Sequence, residues 1–336
     1  MLKNILSLFL TFYGLIFYYI FRKTPNFFYQ SYIKAYCFTR GLSQKIIFDF
    51  FKIFTYRKKI DENDFKTIFN QEYNFNKIND KINKDGYYVF EEKLNTNLVD
   101  SLMQFSLNTK CSFYDKDKKK HFDYYDKKIV DHITTKYDYD ENVLYNNKII
   151  KTLLLDKVFL KIANNFFGTK PLYSAINMWW SPAVKKKINL ETELANQTAQ
   201  LFHFDLDRIK WLKFFIYLTD TFEDDGPHQY VQGTHKIFGK NSEITKLGYQ
   251  RIDSNLIAKH YPNKLKKIIG KKGTIFVGDT SAIHRGAPPL INDRLVLVIE
   301  YANSLYGAEY KKIKSNTHHE NSSKYNFLIK EKIIND

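Results

Sequence analysis

Between Pro171 and Ala302 the chain divides into six short runs, PLYSAINMWWSPAV, AQLFHFD, IKWLKFFIYLTD, PHQYVQ, GTIFVGD and RLVLVIEYA. Each is rich in β-branched and aromatic residues and separated from the next by turn-forming ones, the pattern of strands rather than helices. Runs this short cannot bury an apolar face alone, so they must pair with one another. The expectation is an antiparallel sandwich or barrel, in a fold that is mainly β (α+β) with flanking helices. Residues 236–272 read as an inserted, partly helical connection. A hydrophobic content of 44% in 336 residues is ample for the core this requires.

The second run contains His203-Phe204-Asp205, and the same triplet stands at His121-Phe122-Asp123. Nine His and 23 Asp predict roughly 0.6 His-x-Asp triplets by chance, so context decides between them. On an extended strand Leu201, His203 and Asp205 point to one face while Phe202, Phe204 and Leu206 point to the other. Such a strand feeds a core and presents a site. A His and a carboxylate two residues apart can grip one metal ion if a third ligand arrives from elsewhere, and His284, after the apolar run GTIFVGDTSAI, is the natural candidate. Arg294 opens the next run ten positions later. The other triplet lies in a charged, tyrosine-rich stretch, 112–148, with little apolar periodicity, and reads as a solvated loop or lid.

Upstream, DGYYVFEE suggests a strand, NLVDSLMQFSLN a short helix, and KTLLLDKVFLKIANNFFGTK one amphipathic helix stopped by Gly168. The first 60 residues have a different texture. Residues 5–21 carry no charge, nearly the length of a bilayer core, and a basic amphipathic helix with Ile46, Ile47, Phe50, Phe51 and Phe54 follows Ser43. Arg22, Lys23, Lys34, Arg40 and Lys45 follow the apolar run, against Lys3 before it, which favours a cytoplasmic body associated with the membrane through residues 1–60. The alternative is that both segments pack on the domain. The expected organisation is an N-terminal hydrophobic segment at 1–60, a polar linker at 61–83, a catalytic domain at 84–310 and a polar tail at 311–336.

Lys+Arg outnumber Asp+Glu by 52 to 36, yet no nucleic-acid module accompanies the charge, so nucleic acid is not the expected partner. Cys37 and Cys111 are too few for a disulfide framework and not spaced as a zinc site.

The ordered set His203-x-Asp205, DDGPHQYVQGTHK and GTIFVGDTSAIHRGAPPLINDR, opened by DGYYVFEE, resembles the phytanoyl-CoA dioxygenase family of Fe(II)/2-oxoglutarate oxygenases over residues 84–303. Gln232 replaces a proline usual in that family's hairpin, while Gly233 and His235 keep its glycine and histidine. The resemblance implies a double-stranded β-helix of jelly-roll, cupin-like form. It also implies His203, Asp205 and His284 as the iron ligands and Arg294 as the anchor of the distal carboxylate of 2-oxoglutarate. Asn177 and Trp179, which share a strand face with Tyr173, are further candidates for cosubstrate contact. His235 is expected to be structural, His228 to face substrate, and His318-His319 to be solvated.

Two imidazoles and one carboxylate on one face of Fe(II) leave positions for 2-oxoglutarate and O2, and a guanidinium suits the second carboxylate because it is always charged and donates two parallel hydrogen bonds. The implied activity is hydroxylation of an unactivated C–H of a small-molecule or lipid-like substrate, with release of succinate and CO2. The rival expectation is a non-catalytic cupin-like metal- or ligand-binding protein at the membrane surface.

Overall fold

The chain begins with helices, the first of them built on an apolar run of 17 residues, too long for a single strand. In the computed structural model, which describes residues 2–55, 65–115, 118–122, 124–126, 136–183, 199–315, 328–329 and 331–334, they are α1 (Leu2–Phe21), α2 (Asn26–Thr39), α3 (Leu42–Thr55) and α4 (Phe75–Asp85). There follow β1 (Tyr87–Val89), α5 (Thr96–Leu107), β2 (Cys111–Asp115), β3 (Lys118–Phe122), β4 (Tyr137–Tyr139), α6 (Glu141–Asn146), α7 (Lys148–Leu154) and α8 (Lys157–Phe167). The strand-rich half then supplies β5 (Leu172–Ser181), β6 (Trp211–Tyr217), β7 (His228–Val231), β8 (Leu265–Ile268), β9 (Ile275–Gly278), β10 (His284–Gly286) and β11 (Arg294–Ala302).

Eight strands form one sheet in the order β1-β9-β6-β11-β5-β4-β2-β3, and β10-β7-β8 form a second. A bridge between His203 and His284 adds the His-x-Asp segment to the edge of the smaller sheet. Along the sequence, β5, β6, β9 and β11 fall in the large sheet, while residues 202–203, β7, β8 and β10 fall in the small one. Every pairing in the two sheets is antiparallel. This is a double-stranded β-helix.

Strand parity builds the interior. On β11, Leu295, Leu297, Ile299 and Tyr301 join the core beneath the helices, whereas Val296 and Val298 face the inside of the roll. The same holds on β6, with Leu212, Phe214 and Ile216 outward and Phe215 and Tyr217 inward. Helix α8 packs its Phe159 on Phe214, ring centroids 4.3 Å apart. On β5 a bulge interrupts the alternation: Glu300 pairs with Ala175 but Tyr301 pairs with Tyr173, leaving Ser174 between them. Tyr173 therefore shares the outer core with Ile176 and Met178, not the face of Asn177 and Trp179 that simple alternation assigns it.

Several expectations are corrected. The helix expected over 151–170 is two, α7 and α8, because the Asp156 carboxylate accepts from Val158 N at 2.8 Å as the cap of α8 and also from Ile68 N at 2.8 Å. Gly168 does close α8, at φ 68°. Within 112–148, β2 and β3 pair antiparallel and place His121 and Phe122 on the edge strand, not in a loop; Asp123 lies outside the described residues. The segment 61–83 is no free linker, since Phe65, Phe69, Ile78 and Ile82 are buried in the main core. Inside 236–272 lies strand β8, beside the helices Ser242–Lys246 and Ser254–His260. The tail at 311–336 docks through a parallel pair, β12 (Ile313–Lys314) with β13 (Ile333–Ile334), and buries Lys332; His318 and His319 lie outside the described residues.

The N-terminal helices are built into the body. Leu15, Tyr18, Tyr32, Ile33 and Tyr36 share a core with Phe202, Phe204, Leu206, Ile209 and Trp211. The outward side chains of the His-x-Asp segment are thus the floor on which α1 and α2 rest. Gly14 permits the close approach of α1 to α2, for a Cβ there would stand 2.7 Å from Phe28 Cβ.

Candidate metal and cosubstrate site

His203, Asp205 and His284 come together inside the roll, their ligand atoms all within 4.8 Å of one another. The backbone sets this up. His203 N donates to His284 O at 3.0 Å and His284 N to His203 O at 2.8 Å, so the residues sit opposite each other on adjacent strands and their ring centroids are 4.4 Å apart. Asp205 is fixed by its own N–H, which donates to Thr280 O at 2.8 Å. From His203 Nε2 to Asp205 Oδ1 is 3.5 Å, and from His284 Nε2 to Asp205 Oδ2 is 3.7 Å.

Each imidazole is oriented in the same way. His203 Nδ1 lies 2.8 Å from Leu201 O and His284 Nδ1 lies 2.9 Å from Ala282 O, both carbonyls two residues upstream. A carbonyl only accepts, so Nδ1 carries the proton and the Nε2 lone pair faces Asp205, the tautomer a metal needs. Burial, with His284 alongside, pushes His203 down to about 3. Burial lowers His284 as well. Neutral rings and an ionised carboxylate are the protonation states of ligands.

The carboxylate has a dedicated counter-ion that sequence reasoning missed. Burial pushes Asp205 up, but the Lys213 ammonium beside it and the hydrogen bond it donates outweigh that and hold the group well below the usual range. Lys213 Nζ is 2.8 Å from Asp205 Oδ2, 3.3 Å from Asp207 Oδ2 and 3.3 Å from Glu300 Oε2. The available signal was parity: in IKWLKFFIY, Lys213 alternates with the apolar set Leu212, Phe214 and Ile216.

Arg294 enters the same cavity from β11. It is 3% exposed, and among the described residues no carboxylate pairs with it. Nη2 donates to Ser181 Oγ at 3.2 Å and Nη1 to Ala287 O at 3.4 Å, while the buried Nε has no partner. An enclosed guanidinium with an orphaned N–H fits a carboxylate-bearing ligand. Gly286 makes room for it, since a Cβ there would stand 2.9 Å from Nη2.

The cavity, about 220 Å³, is lined by the triad and Arg294 and also by Asn177, Trp179, Ser181, Gln200, Lys213 and His228. Asn177 and Trp179 project from β5 opposite Val298 and Val296, and the Lys136 ammonium lies 4.8 Å from the Trp179 ring centroid. His228 stacks on His284 at 5.3 Å between centroids, and its buried Nε2 has no partner. His235 is elsewhere, its Nε2 3.0 Å from Asn83 O, a hairpin-to-α4 contact in keeping with a structural role.

No protein-family profile matches the chain, and no curated protein matches it. Among solved structures it is similar to EctD from S. alaskensis in its apoform, with 12% identity over 76% of this chain and 91% of that one, at a TM-score of 0.49. It is also similar to HygX from Streptomyces hygroscopicus with nickel and 2-oxoglutarate bound, with 15% identity over 73% and 92% of the two chains and a TM-score of 0.46. AviO1 from Streptomyces viridochromogenes Tue57 matches at 12% identity over 69% and 96%, with a TM-score of 0.45.

Proposed function

We propose that the chain is an Fe(II)- and 2-oxoglutarate-dependent oxygenase that hydroxylates a small-molecule or lipid-like substrate, similar to the phytanoyl-CoA dioxygenases. One observation carries the reading: a two-histidine, one-carboxylate triad and a buried, carboxylate-free guanidinium open into a single cavity of about 220 Å³. A barrel that only stores a metal has no use for the second element.

When bound, iron and 2-oxoglutarate would supply the oxidation, consuming O2 and releasing succinate and CO2. The protein's part is to hold and shield. His203, Asp205 and His284 would grip the metal from one side, and the carbonyls of Leu201 and Ala282 keep both rings aimed. Lys213 fixes Asp205 through Oδ2. Arg294, steadied by Ser181 and the Ala287 carbonyl, would take the distal carboxylate of the keto acid. Phe215, Val296 and Val298 wall the cavity with apolar surface, which excludes water and strengthens these charge contacts. Asn177, Trp179, Lys136 and His228 are left to meet substrate or cosubstrate.

The test is anaerobic titration of the purified protein with Fe(II) and 2-oxoglutarate, following the metal-to-ligand charge-transfer band. The band should form in the wild type, vanish with metal binding in His203→Ala, and survive in His121→Ala. Arg294→Leu should keep Fe(II) binding and weaken 2-oxoglutarate about 30-fold or more, the cost of removing one partner of a buried charge pair. Admission of O2 should then release succinate. A wild-type protein that binds Fe(II) without the band is a metal-binding barrel and overturns the proposal.

A further inference from the structure

Among the described residues, 25 large apolar side chains are exposed, and 15 of them fall between Leu2 and Phe50. They follow a pattern. On α1 the inward stripe is Ser7, Thr11, Gly14, Leu15 and Tyr18, and the outward side carries Leu2, Ile5, Leu6, Phe9, Phe12, Tyr13, Ile16, Tyr19 and Ile20. Phe9, Tyr13 and Ile20 are each 67% exposed. Contact between Phe12 and Phe50, centroids 6.1 Å apart, joins this side to α3, whose Leu42 and Ile46 are also exposed.

By length and composition alone α1 could cross a bilayer, being 20 residues or about 30 Å long. Its inner stripe argues otherwise. Tyr18 Oη accepts from Leu305 N at 3.1 Å and donates to Glu331 at 2.5 Å, and Tyr306 Oη lies 3.5 Å from Thr11 O. Only about 28% of this apolar stretch is buried, but that share is fastened to the body by polar contacts. To span, α1 would leave them and bare Tyr306 and Phe28 to water. A helix lying in the interfacial plane keeps every one.

Charge says what covers the outer side. Residues 2–55 hold seven basic side chains, Lys3, Arg22, Lys23, Lys34, Arg40, Lys45 and Lys52, against one acidic, Asp49, which pairs with Lys45; Arg22 is paired with Glu331, so the net excess is five. That excess repels a second copy of the same surface and complements anionic lipid, with each basic residue near such a surface strengthening binding about five-fold. The aromatic and aliphatic side chains between them suit the boundary between headgroups and acyl chains.

We propose that the outer side of α1, continued by α3, docks in-plane on an anionic bilayer, as a one-sided attachment and not a transmembrane span. It stands independently of the oxygenase reading. Because α1 and α2 share a core with Phe202, Phe204 and Leu206, and Tyr36 of α2 packs near Phe204, docking would bring the lipid surface to the helices that back the metal triad.

The experiment is co-sedimentation of the full-length protein with sealed vesicles of phosphatidylcholine, with and without 30% phosphatidylserine. Binding should require phosphatidylserine and weaken with salt. The combined substitution Phe9→Ser, Tyr13→Ser and Ile20→Ser should lower it at least ten-fold, with Fe(II) binding and cooperative unfolding unchanged because these side chains face solvent. In a separate arm, Lys23→Glu with Lys34→Glu should lower binding through charge alone. A cysteine placed by Asn4→Cys should react with an impermeant maleimide added outside the vesicles. Protection of that cysteine would mean a span and overturn the proposal. So would binding indifferent to phosphatidylserine, or a lipid-free oligomer that the serine substitutions dissolve, which would make the occupant a second copy.

Discussion

Lys213 Nζ sits 2.8 Å from Asp205 Oδ2, and the same ammonium reaches Asp207 and Glu300 at 3.3 Å. One buried cation therefore balances three carboxylates, one of them a metal ligand. The set continues outward, because Glu300 accepts from Ser174 Oγ at 2.5 Å and the carbonyl of Ser174 accepts from Lys332 in the C-terminal tail.

Removing that cation should leave the three carboxylates facing one another. Lys213→Met is expected to lose about 3–5 kcal/mol of stability, the usual cost of stripping one partner from a buried charge set. Fe(II), by supplying positive charge at the same place, should raise the melting temperature of the variant more than that of the wild type. Thermal unfolding with and without metal measures both; equal metal effects on the two proteins would refute the assignment.

Gly286→Ala probes Arg294 without touching a charge. The new methyl would stand 2.9 Å from Nη2 and 3.4 Å from Nη1, so the guanidinium must move. Affinity for 2-oxoglutarate should fall about ten-fold, roughly 1.4 kcal/mol, while Fe(II) affinity stays put. Calorimetric titration of each ligand separates them.

The metal strand depends on the helices behind it. Phe204 is 1% exposed and packs near Tyr36, ring centroids 5.9 Å apart, so Phe204→Ala should cost about 3–5 kcal/mol, read from urea midpoints. Deleting residues 1–40 uncovers Phe202, Phe204 and Leu206 together, and the truncated chain is expected to aggregate and to lose Fe(II) binding. A soluble, iron-binding truncation would show the N-terminal segment to be separable after all.

Lys240 gives a pH signature. Burial pushes it down to about 7 from 10.5, and its Nζ donates to Tyr36 Oη at 2.7 Å and Thr234 O at 2.8 Å. The unfolded chain therefore binds more protons than the folded one between about pH 7 and 10.5. The contribution of this residue to stability rises with pH across that window, by at most about 1.4 kcal/mol per unit, and is lost below it. The stability difference between wild type and Lys240→Met, followed by urea unfolding from pH 6 to 9, should move in favour of the wild type as pH rises.

How much of this the sequence disclosed depended on whether a local rule governed the position. The alternation of 201–206, 211–218 and 294–302 is local, and by itself it turns His203, Asp205 and Arg294 toward one interior. Strands β8 and β3 were missed because Lys-rich strands at an edge lack an apolar face to announce them, and β2 went with its partner β3. The bulge at Ser174 was invisible for another reason: it is set by the register against Glu300 and Tyr301, and it reversed the face of Tyr173. Lys213 was legible in its inward parity, but its pairing was not: Asp205 and Asp207 reach it across a turn of the chain and Glu300 arrives from β11. The docked tail and the N-terminal layer likewise depend on partners some 300 positions away, as with Tyr18 and Glu331.

That last contact has a consequence in time. Tyr18 leaves the ribosome 313 positions ahead of Glu331. At about 5–20 residues per second, the inner side of α1 waits roughly 15–60 s for its final partner. Throughout that interval both sides of an apolar helix are available, and the floor it will rest on, Phe202 to Leu206, is itself translated only in the second half of the chain. Locking of α1 therefore depends on segments synthesised long after it, so this helix and the layer behind the metal strand become fixed together.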